Sequence, residues 1–393
     1  MCLTAPVAKG NVPLQTSTLS LMKTLLALAA GLVPCAIALR ILEANAARLC
    51  LIDQPVGHKA HTHPTPAVGG LGITITLVLC AGLAPSAAET LWLYLGILCL
   101  VTLGAIDDAF HLSARLKLQV MLVVFSAILW FSGNQIQHLG ELWPGVDVTT
   151  QAVAFPMTLF AAIGVVNAFN LIDGMDGLAG SVTACILSAF LVLAWLVGAH
   201  LWMPFIALCL GAALGFLAFN LRLPGRARAR IFMGDAGSLV IGLILFWLSV
   251  SLSHRADAAA PPIVMVWLLA FPMLDTIATM ILRIREGKSV FSAGHDHFHH
   301  LLQRAGMSVS HIVLVAVAIT GTFAVTGLAL WQLEVPDWLS LLLFLVATVS
   351  YVAHFLAAWK RLGRLPHSRR PGFMHKPSEP IQEDSMRGRA NAP

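Results

Sequence analysis

Polar and apolar positions along this chain separate into long blocks and do not alternate with a period of two. Leu91–Ile106, Met121–Phe131 and Gly237–Ser253 contain no Asp, Glu, Lys or Arg. A membrane-spanning helix needs roughly 20 mostly apolar residues, and lipid admits only helices or closed barrels. Without period-two alternation a barrel does not fit. The blocks predict eleven helices, over 21–42, 67–85, 90–106, 116–133, 152–170, 178–198, 201–220, 237–253, 261–282, 309–331 and 337–359. The fold class is an all-α integral membrane protein. Its parts are a polar leader over 1–20, a polytopic catalytic domain over 21–359, and a basic tail over 360–393 expected to be disordered. The run after the leader is long enough to span, so the N-terminus does not read as a cleaved signal.

Composition supports this reading. The 393 residues are 58% hydrophobic and 11% charged, against about 25% charged in an ordinary soluble domain. A soluble core of this size would need more charge on its surface. The net charge is +5, but its placement says more than its sum, and nucleic acid is not an expected partner. Of the 24 Lys and Arg, 21 lie around the connections after helices 1, 3, 7 and 9 and in the C-terminal tail. The positive-inside rule then puts the N-terminus in the periplasm and these connections in the cytoplasm. The seven cysteines form no Cys-x-x-Cys pair and read as small apolar fillers.

The same connections carry the chemistry. The first, DQPVGHKAHTHPTPAVGG from Asp53 to Gly70, offers Lys59, His61 and His63 as phosphate contacts, or is simply a solvated basic loop. The second, GAIDDAFHLSARLKL, places Asp107 and Asp108 where an apolar run ends, with Arg115 and Lys117 following. Paired carboxylates there suit a divalent cation or a general base, unless they are plain interfacial charge. The third, NAFNLIDGMDGLAG, spaces Asn167 and Asn170 three apart, and Asp173 and Asp176 likewise. Residues so spaced share a helix face, and Gly174 and Gly177 allow a turn with both aspartates inward. The set suits a hard cation or sugar hydroxyls.

In the fourth, RARARIFMGDAGSL, Asp235 opens a helix between Gly234 and Gly237. A helix N-terminus favours phosphate and the carboxylate favours Mg²⁺, which together suit a metal-bound diphosphate. Phe232 is placed to stack on a base, or else belongs to the core. The fifth, FSAGHDHFHHLL, holds His295, His297, His299 and His300. Its readings are phosphate or sugar contacts, a structural loop, or zinc, which lacks a nearby cysteine and a His-Glu-x-x-His pattern.

Taken together, in order and on one side, these loops resemble the polyprenyl-phosphate N-acetylhexosamine-1-phosphate transferases over about residues 20 to 360. IFMGDAGS, NAFNLIDGMDG and HFHHLL carry the resemblance most specifically. It implies a Mg²⁺-dependent enzyme, with Mn²⁺ as a substitute, in the bacterial inner membrane. It implies that a sugar 1-phosphate passes from a UDP-N-acetylhexosamine, most simply UDP-N-acetylglucosamine, to undecaprenyl phosphate, starting O-antigen or a related surface glycan. The bilayer and a homodimer complete the expected partners. Asp235 with Asn170 would hold the metal, and Phe232 would stack on uracil. Asp107, Asp108, Asp173, Asp176 and Lys117 form the expected catalytic set. Lys59, His61, Asn167, His297, His299 and His300 join Phe232 in the expected substrate set.

Two positions depart from the family pattern: His58-Lys59 stands for an Arg-Lys pair, and His295 for an arginine. The second leaves open another UDP-sugar, such as a deoxy-N-acetylhexosamine. The segment at the start of helix 2 reads PAVGG and does not resemble the TMGG form of the phospho-N-acetylmuramoyl-pentapeptide transferases, which implies that a peptidoglycan precursor is not the substrate. A transporter or flippase predicts ionisable residues at mid-helix and inverted repeats. The acidic motifs here lie at helix ends and no repeat is visible.

Overall fold

The computed structural model describes residues 14–54, 63–254, 260–290 and 294–363. Each predicted apolar block is helical. The order is α1 (Leu14–Asn45), α2 (Gly69–Leu79), α3 (Ala87–Phe110), α4 (Ala114–Ser132), α5 (Ala154–Ile172), α6 (Leu178–Leu196), α7 (Met203–Asn220), α8 (Gly234–Ser253), α9 (Pro262–Leu268), α10 (Ala270–Arg285), α11 (Phe298–Arg304), α12 (Val309–Gln332) and α13 (Asp337–Gly363). Among the described residues nine helices are long and apolar enough to cross a membrane. α9 and α10 make a tenth span if the bent pair is counted as one. The protein is an all-α integral membrane protein.

α8 is the centre of the bundle, with 89% of its apolar window buried, against 11% for α13. α8 is apolar all round, as a helix enclosed by other helices must be. It packs on α2, α3 and α5. α1 crosses α7 where a side chain on Gly31 would run into the Leu208 carbonyl, and one on Gly211 into that of Leu28. Small residues there let the backbones approach closely.

Four features differ from the sequence expectation. The first helix starts at Leu14, inside the stretch read as a leader. The second is only 11 residues long. The ninth is not continuous: α9 ends and α10 begins at Leu269, with a bend of 72°. Pro272 explains the break, because it has no N–H for the Leu268 carbonyl and its ring crowds that oxygen. Between α4 and α5 lies an antiparallel hairpin, β3 (His138–Trp143) with β4 (Val146–Thr149), which the all-helical reading passed over. A shorter pair, β1 (Ile52–Asp53) with β2 (Thr65–Pro66), closes the base of the first loop. Most of the basic tail lies outside the described residues.

Candidate active site

The ends of α3, α5, α8 and α10 and the loops beside them enclose a cavity of about 1030 Å³. It has two unlike walls.

The acid wall is built on backbone contacts. A side chain on Gly104 of α3 would strike the backbone of Asp235 and Ala236, and one on Gly70 of α2 would strike Gly237. The first loop is laced to the fourth by N–H bonds from Gly69 to the Phe232 carbonyl (2.9 Å), Gly70 to Met233 (2.9 Å) and Phe232 to Pro66 (2.8 Å). These contacts fix the start of α8 against the last turn of α3, which carries Asp107 and Asp108.

Asp107 is buried and accepts from the Leu112 N–H at 2.6 Å and from Lys117 Nζ at 2.7 Å. Lys117 lies in the first turn of α4, whose Ser113 cap accepts from the Leu116 N–H. Its ammonium also donates to Asp235 at 2.8 Å, so one cation bridges two carboxylates. Asn170 donates through Nδ2 to Asp235 Oδ1 and to Ser238 Oγ, both at 2.9 Å. In this arrangement its amide nitrogen, not its carbonyl, faces Asp235 and orients it.

Asp108 corrects one expectation. The start of α8 is not open to a phosphate, because the Asp108 carboxylate already accepts from the Asp235 N–H (2.9 Å) and the Ala236 N–H (3.3 Å). It is the anionic cap that a helix N-terminus favours. Gly234 sits at φ +73°, and a side chain there would collide with this carboxylate.

Asp173 ends α5 and lines the cavity. Its carboxyl is held well above the usual carboxylate range, first by burial and then by the negative charge of Asp235, Asp108 and Asp176. Asp176 also lines the cavity, and it accepts from Arg222 Nε (2.8 Å) and the Ala229 N–H (3.0 Å). The turn that carries them leads into α6 through Gly177 at φ +79°. Buried Asn220 ties that turn to the fourth loop, accepting from the Gly177 N–H at 2.7 Å and donating to the Ile231 carbonyl at 2.8 Å.

The histidine wall is built on side chains. His297 and His299 are buried and stack 5.9 Å apart, and the His299 and His300 rings lie 4.1 Å apart. His295 Nδ1 and His300 Nε2 are 3.2 Å apart. Burial, then neighbouring imidazoles, lowers His299 well below the ordinary histidine range and His300 to about 4. Gly174 packs on the His299 ring, which joins the two walls.

The cavity therefore gathers Asp107, Asp108, Asn170, Asp173, Asp176, Phe232, Asp235, His295, His297, His299 and His300. Asn167 is not among its lining residues, and donates instead to the Ile163 carbonyl of its own helix at 2.8 Å. Lys59 and His61 lie outside the described residues. Sequence reading missed Asn220, Arg228, Asp275 and Arg283. Arg228 and Arg283 looked like ordinary loop or helix-end charge, whereas Asp275 was counted inside a span, and a charge in an apolar run is a functional signal by default.

The chain matches the family model described as glycosyl transferase family 4 over residues 90–253. It is 31% identical to the undecaprenyl-phosphate alpha-N-acetylglucosaminyl 1-phosphate transferase of Escherichia coli K12, over 80% of this chain and 86% of that one. The enzyme of the same name from Salmonella typhi is also 31% identical over the same shares. A probable undecaprenyl-phosphate N-acetylglucosaminyl 1-phosphate transferase of Bacillus subtilis is 29% identical over 79% of this chain and 85% of its own. The motifs, the helical bundle and these relatives agree, and the chain belongs to glycosyl transferase family 4.

Proposed function

We propose that this protein transfers N-acetylglucosamine 1-phosphate from UDP-N-acetylglucosamine to undecaprenyl phosphate, releasing UMP. The observation that carries the reading is a single cavity, at one end of a membrane bundle, that holds Asp107, Asp108, Asp173, Asp176 and Asp235 beside an aromatic side chain and a histidine segment. A lipid-phosphate oxygen attacks the β-phosphorus of the donor. The bond from that phosphorus to the oxygen bridging the α-phosphate breaks, and UMP leaves with the bridging oxygen. The sugar diphosphate stays on the lipid and starts a surface glycan. Phosphoryl transfer of this kind depends on positioning and charge neutralisation.

A divalent cation fits the acid wall. Asp107, Asp108, Asp173 and Asp235 line one cavity, and Lys117 is the cation that pairs with two of them. The Asp173 carboxyl is held above the usual carboxylate range, first by burial and then by the negative charge of Asp235, Asp108 and Asp176, and a cation bound beside them would relieve that second effect. Asp235 would hold Mg²⁺, or Mn²⁺ in its place, with Asn170 orienting the carboxylate. Bound there, the ion would supply charge neutralisation at the donor diphosphate. Lys117 keeps Asp107 and Asp235 together, and Phe232 offers its half-buried ring to the uracil. Asp108 acts through α8, by fixing the turn on which Asp235 stands.

The cavity faces the cytoplasm of a bacterial inner membrane in this reading. Support comes from the skew of Lys and Arg toward one set of connections, and from Arg222, Arg228 and Arg283 at the cavity. The leader, catalytic and tail division of the chain belongs to the same proposal, and a homodimer is not part of it. The test is Asp235→Ala with UDP-N-acetylglucosamine and polyprenyl phosphate in detergent. UMP release should fall at least about 10²-fold. Near-parental, Mg²⁺-dependent release would remove Asp235 from the metal site.

A further inference from the structure

Among the polar residues of α10, Asp275, Thr279 and Arg283 recur at a spacing of four. That spacing puts them on one helix face. All three are buried, Asp275 and Thr279 with 1% of their surface exposed and Arg283 with 4%. Buried polar groups at this depth must find partners, and each finds them in the histidine segment. Asp275 accepts from the Phe298 N–H at 2.7 Å and pairs with His297 Nδ1 at 3.0 Å. Thr279 Oγ1 lies 3.3 Å from His297 Nδ1 and 3.3 Å from the Asp296 carbonyl. Arg283 donates to the Val290 carbonyl at 2.9 Å and to the Asp296 carboxylate at 3.4 Å. The break at Leu269 gives α10 its own direction, and this face is where it meets the segment.

A carboxylate only accepts hydrogen bonds, so the Asp275 contact calls for an N–H at His297 Nδ1. In the tautomer whose single proton sits there, the other ring nitrogen, Nε2, is an acceptor. Phosphate oxygens are acceptors too and gain nothing from it. A hydroxyl or an amide N–H does.

We infer that Asp275, Thr279 and Arg283 form a positioning array that fixes His297 as a hydrogen-bond acceptor for a hydroxyl or amide N–H of the donor sugar. This rests on the UDP-sugar reading above, and it makes His297 a specificity residue, not a phosphate contact. Asp275 acts through His297 and is a positioning residue.

The first test compares UDP-N-acetylglucosamine with analogues that each lack one donor group, deoxygenated at C3, C4 or C6 or lacking the acetamido group. In the parent, one analogue should lose roughly 10- to 100-fold in kcat/KM relative to the full substrate. In Asp275→Asn that ratio should fall toward one, while the KM for polyprenyl phosphate stays parental. A merely structural role would slow all donors alike and leave the ratios unchanged, which would overturn the inference. The double variant Asp275→Asn/His297→Ala should be no worse than His297→Ala alone, because the two act as one unit. Additive losses would also overturn it.

A second measurement does not depend on turnover. In ¹⁵N-histidine spectra the signal lost in His297→Gln identifies His297, and Nε2 should lie in the unprotonated range. A protonated Nε2, in the neutral ring or in the imidazolium, would end the proposal. Failure of the UDP-sugar reading shows differently, as an absence of UMP release by the parent while His297 keeps this tautomer.

Discussion

The two walls of the cavity are held in different ways. The acid wall is set by backbone against backbone, Gly104 on Asp235 and Ala236 and Gly70 on Gly237, with the Asp108 carboxylate capping α8. The histidine wall is set by side-chain hydrogen bonds reaching across from α10. Backbone contacts have no rotamers to give way, so the acid wall tolerates no added atoms. Side-chain contacts can shift, so the histidine wall can be altered without losing the fold. An enzyme that must hold a diphosphate firmly yet choose among sugars has use for both.

The largest expected effect breaks the first wall. Gly104→Leu would drive a side chain into the start of α8, where no flexible group can yield. Overpacking costs about 1–3 kcal/mol and more where nothing relaxes, so little monodisperse protein should elute from size exclusion. Gly174→Ala on the other wall meets only the His299 ring. It should elute like the parent and show its defect in kcat/KM. Equal yields for the two variants would remove the distinction.

Acidity should move the walls in opposite directions. His300 titrates near 4 in the folded protein against 6.5 ordinarily, and His299 is lowered in the same direction. Between those values the unfolded chain binds more protons. The histidine contribution is therefore complete above pH 6.5 and is lost as pH falls toward 4. Asp173 is raised above its ordinary 3.8, so the folded state binds more protons. Its contribution is complete below 3.8 and is lost as pH rises through the folded value. His300→Gln should weaken the drop in thermal midpoint between pH 7 and 5, and Asp173→Asn should steepen it. If both variants keep the parental pH curve, these environments are misassigned.

Much of this was legible in the chain. Block hydropathy found every apolar helix because lipid demands length and apolarity, and both can be counted. It could not separate core from periphery, since α8 and α13 have nearly equal mean hydropathy, 2.0 and 2.1, and very different burial. It also missed the bend at Leu269, although Pro272 stood in view, because a window averages over a proline. The acidic motifs were recognisable as chemistry, but their division of labour was not. Asp107 and Asp108 are neighbours in sequence, yet one pairs with Lys117 and the other caps α8. Asp275 was counted as part of a span because its partners, His297 and the Phe298 N–H, come more than 20 residues later. Such partnerships are tertiary and leave no local spacing to read.

The smallest expected effect concerns the i, i+3 pair Asn167 and Asn170. Spacing alone puts both on one face, and sequence reading gave both a role. The structure separates them by partner. Asn170 turns its amide to Asp235 and Ser238, whereas Asn167 turns back to the Ile163 carbonyl one turn earlier. A polar side chain bonded to its own helix carries no obligation to the cavity. Asn167→Ala gives up one local hydrogen bond, worth about 1 kcal/mol or less, and leaves the acid wall intact. Its KM for UDP-N-acetylglucosamine should therefore stay near the parental value, while Asn170→Ala should lose both activity and apparent Mg²⁺ affinity because Asp235 is no longer held. A KM for Asn167→Ala raised as far as that of Asn170→Ala would mean that the acid wall extends a full turn deeper into α5 than these contacts place it.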